Sequence, residues 1–449
     1  MYSFCHCEEQ SDEAIYSKSI NSGLPRSLRS LAMTPEGMII KSLVKKIIGK
    51  NLLSLYHFKL ALLGAFLFGF PGYSKNFKII GVTGTSGKST TCDLIVRILE
   101  ENGEKVASVS TIRFKIGEKE WENKYKMTMP GRFVIQKFLS QAKNAGCKFI
   151  VLEVTSEGIR QFRHKFINFD TAVFTNLSPE HIESHGGFEN YRNEKLKLFK
   201  ITKNIHIINA DDKNSKYFLD IPAKKKISFS FKDAENYDFK LNLIGDFNIL
   251  NALTAISVAR AYGINFEVCK KALEKAKGIP GRMEVISNPP AGGPKVIVDY
   301  AHTPEQLEAV YKALDSRFRG NDTGRLICVL GSCGGGRDKW KRPVLGKIAE
   351  KYCKEIIITN EDPYDENPNS IMDEIESGFL KTRNSKFEIR NYEKILDRKE
   401  AIKKAINIAK QGETVIITGK GSEPWMCIKN GKKIPWSDKQ IAKDALNKI

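Results

Sequence analysis

The sequence predicts an α/β protein built as two consecutive units, each with a mostly parallel sheet. Three observations carry that expectation. Short β-rich runs alternate with helical patterns from 77 to about 280, and the alternation resumes from 281 to the end of the 449-residue chain. The first strand runs into a glycine-rich turn, IIGVTGTSGKSTT at 79–91. Nearly every polar or glycine-rich cluster downstream closes an apolar run, at the carboxyl strand ends where ligands gather in open α/β sheets.

Residues 1–37 show no sustained periodicity and no core-like run. CHCEEQSDEAI and SGLPRSLRSLAMT resemble a translated genomic repeat, as does DSRFRGND at 315–322, which interrupts a helix-to-strand connection. Both are expected to be disordered or surface additions, with Met38 an alternative start. The 38–76 segment is apolar. Its residues 52–70 hold only His57 and Lys59 as ionisable groups, over a length close to that of a bilayer span. Lys45, Lys46 and Lys50 precede the run and would be held on the cytoplasmic side, which would put everything after Pro71 outside, away from ATP. A helix lying in the membrane interface, or a hairpin packed on the next domain, is expected instead. The run starts far from Met1 and lacks a small-residue cleavage site, so it is no secretory signal.

Composition excludes several classes. Hydrophobic residues make up 41% and charged residues 28%, a globular balance. The net charge of +20 is spread thinly: no block of like charge is longer than Lys224-Lys225-Lys226. It reads as general lysine richness, with anionic nucleotide substrates as a second contributor. A basic nucleic-acid ATPase is disfavoured, because no recognition motif or interleaved aromatic basic patch is visible. The nine cysteines include no Cys-x-x-Cys pair, and Cys5-x-Cys7 is the only close one. That pattern fits a reducing cytosol, without structural zinc or a disulfide framework.

The turn at 84–90 is a phosphate cradle. Gly84 and Gly87 let backbone N–H groups converge on an anion, and the helix opening at Lys88 adds its positive end. Thr85 and Thr90 flank the cradle; Lys88 can reach β/γ-phosphates and the Ser89 hydroxyl can ligate Mg²⁺. The match is not the strict P-loop pattern, since Val82 stands where that pattern has glycine. An ordinary glycine-rich turn is the alternative. The strands KIIGVTG, KVASVST, KFIVLEVTS, TAVFTN and NIHIINADD belong to a P-loop central domain over 77–280. KVIVDYAH, RLICVLGS, EIIITNED and ETVIITGKG belong to a Rossmann-like α/β domain over 281–449.

Several strand ends carry groups suited to Mg-ATP. Glu153 follows FIVL and can hold a metal. Glu180 and His181 follow AVFTNLSP, where the histidine is a metal ligand or a structural hydrogen-bonder. Lys195 lies in the helical stretch YRNEKLKLFK, where a solvated face is the alternative. Asn248 and Asn251 sit at a helix start and suit caps or adenine contacts. Asp299 and His302 end one strand and open a helix, and the glycine loop at 331–343 is followed by Arg337, Lys339, Lys341 and Arg342.

In this order the segments TGTSGKSTT, LEVTSEGIRQFR, FTNLSPEHIESHG, INADD, FNILNAL, PGRMEV, DYAHTPEQLE, GGGRDKWKRP and GKGSE resemble the Mur ligase family, which builds the peptide of peptidoglycan. The likeness runs from about 79 to 449 and is greatest to the branch adding a diamino acid to UDP-N-acetylmuramoyl-dipeptide. It implies an ATP- and Mg²⁺-dependent ligase working through an acyl phosphate. Lys88 would hold the β/γ-phosphates, Ser89 and Glu153 one Mg²⁺, and His181 a second. Lys195 would be carbamylated. Asn248, with Asn251 beside it, would meet the adenine end, Asp299 with His302 nearby the ribose, and Arg337 would clamp phosphate. Thr128, Thr155, Ser156, Gln161 and Arg163 would hold the muramoyl-dipeptide, and Glu361, Asp362, Gly421 and Glu423 also fall on substrate-binding motifs.

The chain departs from the family pattern in three places. The N-terminal uridine-binding domain is not recognisable, which opens the way to a lipid-linked acceptor at the membrane. Glu361-Asp362-Pro363-Tyr364 stands where diaminopimelate enzymes have Asp-Asn-Pro-Arg, and Ser422 replaces the histidine of the late Gly-Lys-Gly-His-Glu motif. The expected partners are a nucleotide-sugar peptide or related acceptor and an amino acid, with no nucleic acid and with peripheral membrane contact through 52–70. The expected location is the cytoplasm, at the inner face of the membrane. The alternatives are a folate polyglutamate-type ligase and an inactive membrane-associated nucleotide-binding scaffold. Retention of Lys88, Glu153, His181 and Lys195 together speaks against the scaffold.

Overall fold

The computed structural model describes residues 50–125, 127–287, 293–315, 325–379 and 391–448. The expectations for residues 1–37, Met38, Lys45, Lys46, the Cys5/Cys7 pair and the 316–322 stretch fall outside these residues.

The first sheet has eight strands in the order β4-β3-β2-β5-β1-β6-β7-β8. They are β1 Lys78–Thr83, β2 Val106–Val109, β3 Arg113–Ile116, β4 Lys119–Glu122, β5 Phe149–Glu153, β6 Thr171–Phe174, β7 Ile205–Asn209 and β8 Lys225–Phe229. Pairing is parallel from β2 to β8, and β3 and β4 add an antiparallel edge. Strand β1 sits at the centre, and Ile79 through Thr83 are all buried, as expected for a strand covered on both faces. Its neighbours alternate: Ile79 packs among α3 (Arg132–Asn144) and α4 (Phe188–Ile201), while Ile80 and Val82 pack among α2 (Lys88–Glu101), α5 (Phe247–Ala261) and α6 (Phe266–Glu274).

The second sheet has the order β13-β12-β11-β14-β10-β9. Its strands are β9 Glu284–Ser287, β10 Lys295–Val298, β11 Leu326–Leu330, β12 Glu355–Thr359, β13 Asn391–Ile395 and β14 Thr414–Ile417. Only β9 runs antiparallel. Helices α7 (Pro304–Leu314) and α8 (Lys341–Tyr352) cover one face, and the helices Arg398–Ile408 and Asp438–Leu446 cover the other. A hairpin, β15 Trp425–Ile428 and β16 Lys432–Pro435, turns through Asn430 and Gly431, both at positive φ.

The apolar N-terminal run forms a single helix, α1 Lys50–Leu67, closed by a left-handed Phe70 and the turn Pro71–Tyr73. It is a helix rather than a hairpin, and among the described residues no helix is long and apolar enough to cross a membrane. Helix α1 packs on α3 through a narrow stripe of His57, Ala61, Gly64 and Ala65. A Cβ at Gly64 would lie 3.4 Å from the Arg132 carbonyl oxygen, so the two backbones approach closely. The buried His57 ring takes Arg132 Nη2 at 2.6 Å, and Arg132 Nε donates to the Gln161 carbonyl at 2.9 Å.

Candidate active site

The turn between β1 and α2 forms the cradle. Gly87 caps α2 in the left-handed region with φ 76°, which favours glycine, and a Cβ there would collide with Asn251 Oδ1. A Cβ on Gly84 would strike Thr175 Oγ1. The loop is held from both sides. Asn176 Oδ1 accepts from Ser86 N at 2.8 Å, Thr175 Oγ1 donates to Ser86 O at 2.7 Å, and Tyr191 OH meets Thr85 Oγ1 at 3.0 Å. These bonds fix the loop, and the N–H groups of Thr85 and Ser86 are both taken by Asn176. Lys88 Nζ rests 2.9 Å from the Thr85 carbonyl, folded back over the cradle. Burial pushes its pKa below the usual lysine range, and Glu153 opposes that shift.

Glu153, at the end of β5, is buried, and its Oε2 accepts from Ser89 Oγ at 2.9 Å and from Thr111 N at 2.8 Å. Thr111 Oγ1 in turn meets Thr128 Oγ1 at 2.8 Å. Among the described residues no group of three or more His, Cys, Asp or Glu side chains gathers, so this is not an all-protein metal cage. The donor set fits Mg²⁺, which is held by one or two carboxylates, a hydroxyl, waters and substrate phosphates. His181 stands in the left-handed region at φ 57°, and its Nδ1 lies 3.4 Å from Arg337 Nη1. Burial, and then the charge of Arg337, hold its pKa well below the ordinary histidine value, so the ring is neutral and able to ligate.

Lys195 was the least obvious candidate, because charge on a helix usually faces water. Here it is 2% exposed and donates to the Gly84 carbonyl at 2.8 Å, over the Tyr191 ring. Burial, reinforced by Lys88, drives its pKa well below the usual lysine value. A buried amine in that state is a nucleophile.

The second unit closes over this face. Gln306 Nε2 donates to Ser86 Oγ at 3.1 Å, and Arg282 Nη2 lies 3.4 Å from Ser89 Oγ. Lys341 and Glu180 form a buried pair at 3.1 Å. Asp338 accepts the N–H groups of Ile182 and Glu183, at 3.2 and 3.0 Å, and so caps the turn that carries His181. Between the two sheets lies a cavity of about 610 Å³.

Two family models match the chain: the Mur ligase middle domain over residues 82–238 and the Mur ligase glutamate ligase domain over 281–421. A UDP-N-acetylmuramoyl-L-alanyl-D-glutamate–2,6-diaminopimelate ligase of Syntrophomonas wolfei is 38% identical over 415 residues, covering 86% of this chain and 81% of its own length. The chain belongs to the Mur ligase family. A solved structure of a diaminopimelate ligase of the same name is 27% identical, covering 83% of this chain and 78% of its own, with a TM-score of 0.55. A folylpolyglutamate/dihydrofolate synthase of Yersinia pestis, solved with AMPPNP and Mn, superposes with a TM-score of 0.63 at 18% identity, covering 87% of this chain and 92% of its own. That likeness shows the fold alone.

In this Mur ligase the cavity gathers nearly all the residues singled out in the sequence. Gly84, Thr85, Gly87, Lys88, Ser89, Thr90, Glu153, His181, Lys195, Asn248, Asn251, Asp299, His302 and Arg337 line it, as do Thr128, Thr155, Ser156, Arg163, Glu361, Asp362 and Glu423. Gln161 and Gly421 stand back from it. Gln161 braces Arg163 Nη2 at 2.7 Å, and Gly421 packs against Gly281 and Tyr300, while Gly419 takes the lining position. Several lining carboxylates are already engaged, Asp299 and Asp362 by backbone N–H groups. Asp299 accepts from Met283 N at 2.6 Å and Ala301 N at 2.7 Å, which fixes the turn presenting Arg282. Asp362 pairs with the buried Lys420 at 2.8 Å and accepts from Cys427 N at 2.7 Å. Thr111, Tyr191, Arg282 and Gly419 were not picked out from the sequence. Arg282 was findable in PGRMEV, just after the first unit ends; Tyr191 and Thr111 carry no local signal, since only the tertiary fold turns them inward.

Proposed function

We propose that the chain is an ATP-dependent, ADP-forming ligase that joins an amino acid to the terminal carboxylate of a UDP-N-acetylmuramoyl-dipeptide-like acceptor in peptidoglycan synthesis. The observation that carries this reading is the two-sided cavity. Lys88 and the Ser89–Glu153 pair form a triphosphate end on one sheet, and Arg282, Arg337 and Glu423 face it from the other. The carboxylate oxygen would bond to the γ-phosphorus as the bond to the ADP oxygen breaks. The amine would then attack the acyl carbon, phosphate would leave, and the amine's surplus proton would pass to it. Lys88, Arg282 and Arg337 offset the repulsion between carboxylate and triphosphate, and closure excludes water from the acyl phosphate. Mg²⁺, bound by Glu153 and Ser89 with His181 available for a second ion, would neutralise charge developing on the phosphates. The need for ATP supports a cytoplasmic location.

The experiment is ADP release by the full chain across an acceptor panel: UDP-N-acetylmuramoyl-L-alanyl-D-glutamate, the same dipeptide without UDP, and a folate, each with and without amino acids. Turnover with the first and trapping of the acyl phosphate by hydroxylamine are expected. Turnover with folate and glutamate only, or with none of the panel, would overturn the reading.

A further inference from the structure

Helix α1 is packed inside out. The side it turns to α3 is small or polar, His57, Ala61, Gly64 and Ala65, while most of its large apolar side chains are exposed, Phe58 being partly covered by the Phe162 and Phe166 rings. Leu55, Tyr56, Phe58, Leu62, Leu63, Phe66 and Leu67, with Tyr73 just beyond, are half of the sixteen large hydrophobics that are exposed among the described residues. Phe66 is 68% exposed. A surface helix of a water-soluble protein normally does the reverse, and a contiguous patch of this kind marks an interaction site. Two features of charge identify the occupant. Lys59 lies within the same face, one turn from Leu55, Leu62 and Leu63. In a two-fold contact between copies of this chain each Lys59 would be buried in an apolar seam, whereas at a lipid surface its stem lies along the apolar face and its ammonium reaches the headgroups. The sequence leading into the helix is MIIKSLVKKIIGK, with Lys41, Lys45 and Lys46 interleaved among apolar residues and Lys50 opening the helix. Basic charge flanking an apolar helix face favours anionic lipid.

We propose that the outer face of α1 docks this enzyme on an anionic bilayer surface without crossing it. The docked element is rigidly tied to the cleft. The hydrogen bonds from His57 through Arg132 to Gln161, and the contacts of Phe58 with the Phe162 and Phe166 rings, join α1 to the segment that carries Thr155, Ser156 and Arg163. The bilayer would therefore lie behind that segment, and the cleft would stay open to the cytoplasm.

The test is co-sedimentation of the full chain with phosphatidylcholine vesicles and with vesicles that also contain phosphatidylglycerol. The comparison variants are Leu62→Ser/Phe66→Ser/Leu67→Ser and Lys59→Glu. Their folding is checked by thermal midpoint, since these side chains contribute little to the core. The wild type is expected to partition onto the anionic vesicles at least about tenfold more than onto the neutral ones, with the gain lost at high salt. The triple variant is expected to lose binding, and Lys59→Glu to weaken it. Equal binding of wild type and triple variant, or no vesicle binding, would overturn the proposal. A dimer that the triple variant converts to monomer, without vesicle binding, would overturn it in favour of a second copy of the chain. None of these readouts depends on ligase turnover, so failure here leaves the assigned reaction standing.

Discussion

The Lys195 ammonium has the Gly84 carbonyl as its hydrogen-bond partner and no carboxylate paired with it among the described residues. Its pKa is driven down by burial and by Lys88. A neutral amine in that state adds CO₂ readily: the nitrogen bonds to carbon, one proton leaves, and the neutral amine becomes an anionic carbamate able to support a metal. Carbamylation of Lys195 is therefore expected, visible as a carbamate resonance from ¹³C-bicarbonate that Lys195→Ala abolishes. That variant should lose most activity, and a short carboxylate should restore part of it. An unmodified lysine in a fully active enzyme would contradict this. A second prediction concerns Tyr364, which lines the cavity beside Gly335 and holds a strained positive φ of 52°. A phenol offers a distal carboxylate at most a neutral hydrogen bond, weaker than a bidentate arginine pair by about 2–3 kcal/mol. Lysine should compete with meso-diaminopimelate to within about a hundredfold in kcat/KM, although the Syntrophomonas relative is named for diaminopimelate. Tyr364→Arg should raise the preference for diaminopimelate. A larger wild-type preference would show that another residue selects the amine.

At the scale of elements, the loop entering α8 acts as a clasp. Asp338 caps the His181 turn from the other unit, Lys339 N donates to Glu183 at 2.8 Å, and Lys341 pairs with Glu180. Asp338→Ala removes two hydrogen bonds to a carboxylate that form only when the units meet. It should lower kcat by at least about tenfold while leaving the thermal midpoint within a few degrees, with small-angle scattering showing a more open molecule. Unchanged kcat would refute the clasp. Legibility in the sequence differed sharply between elements. Strand β1 and helix α2 were plain, because a continuous apolar run, a glycine turn and Lys-Ser agree at every level. The β3–β4 hairpin was missed because its residues alternate weakly and β4 is exposed throughout. The β15–β16 hairpin was missed despite its Asn430-Gly431 turn. Helix α1 was visible as an apolar run, yet the side it would bury was not, since close packing through Gly64 and Ala65 leaves almost no hydrophobic periodicity to read.

Across the whole molecule, the buried histidines set an acid limit on stability. Burial lowers His164 from 6.5 to about 3 and His185 from 6.5 to about 4. Between those folded values and 6.5 the unfolded chain binds protons that the native state refuses. Stability therefore rises with pH across this window and is lost as pH falls, by up to about 1.4 kcal/mol per pH unit for each residue. His164→Phe should shallow the decline in unfolding free energy between pH 6.5 and 4; parallel wild-type and variant curves would refute it. Most of the cavity lining was legible because chemistry in an α/β sheet collects at strand ends that the sequence marks with polar and glycine residues. The engagement of Asp299 and Asp362 by backbone N–H groups was not, since nothing local distinguishes a carboxylate that holds a loop from one that holds a ligand. The central claim is that a two-sided cleft built on Lys88 couples ATP cleavage to amide formation. Its most direct test is ADP release by wild type and by a folded Lys88→Ala variant, with acceptor and amino acid added singly and together. Wild-type turnover that requires both substrates, and its loss in the variant, is the predicted result. Equal turnover in the variant, or ADP release indifferent to acceptor and amine, would contradict it.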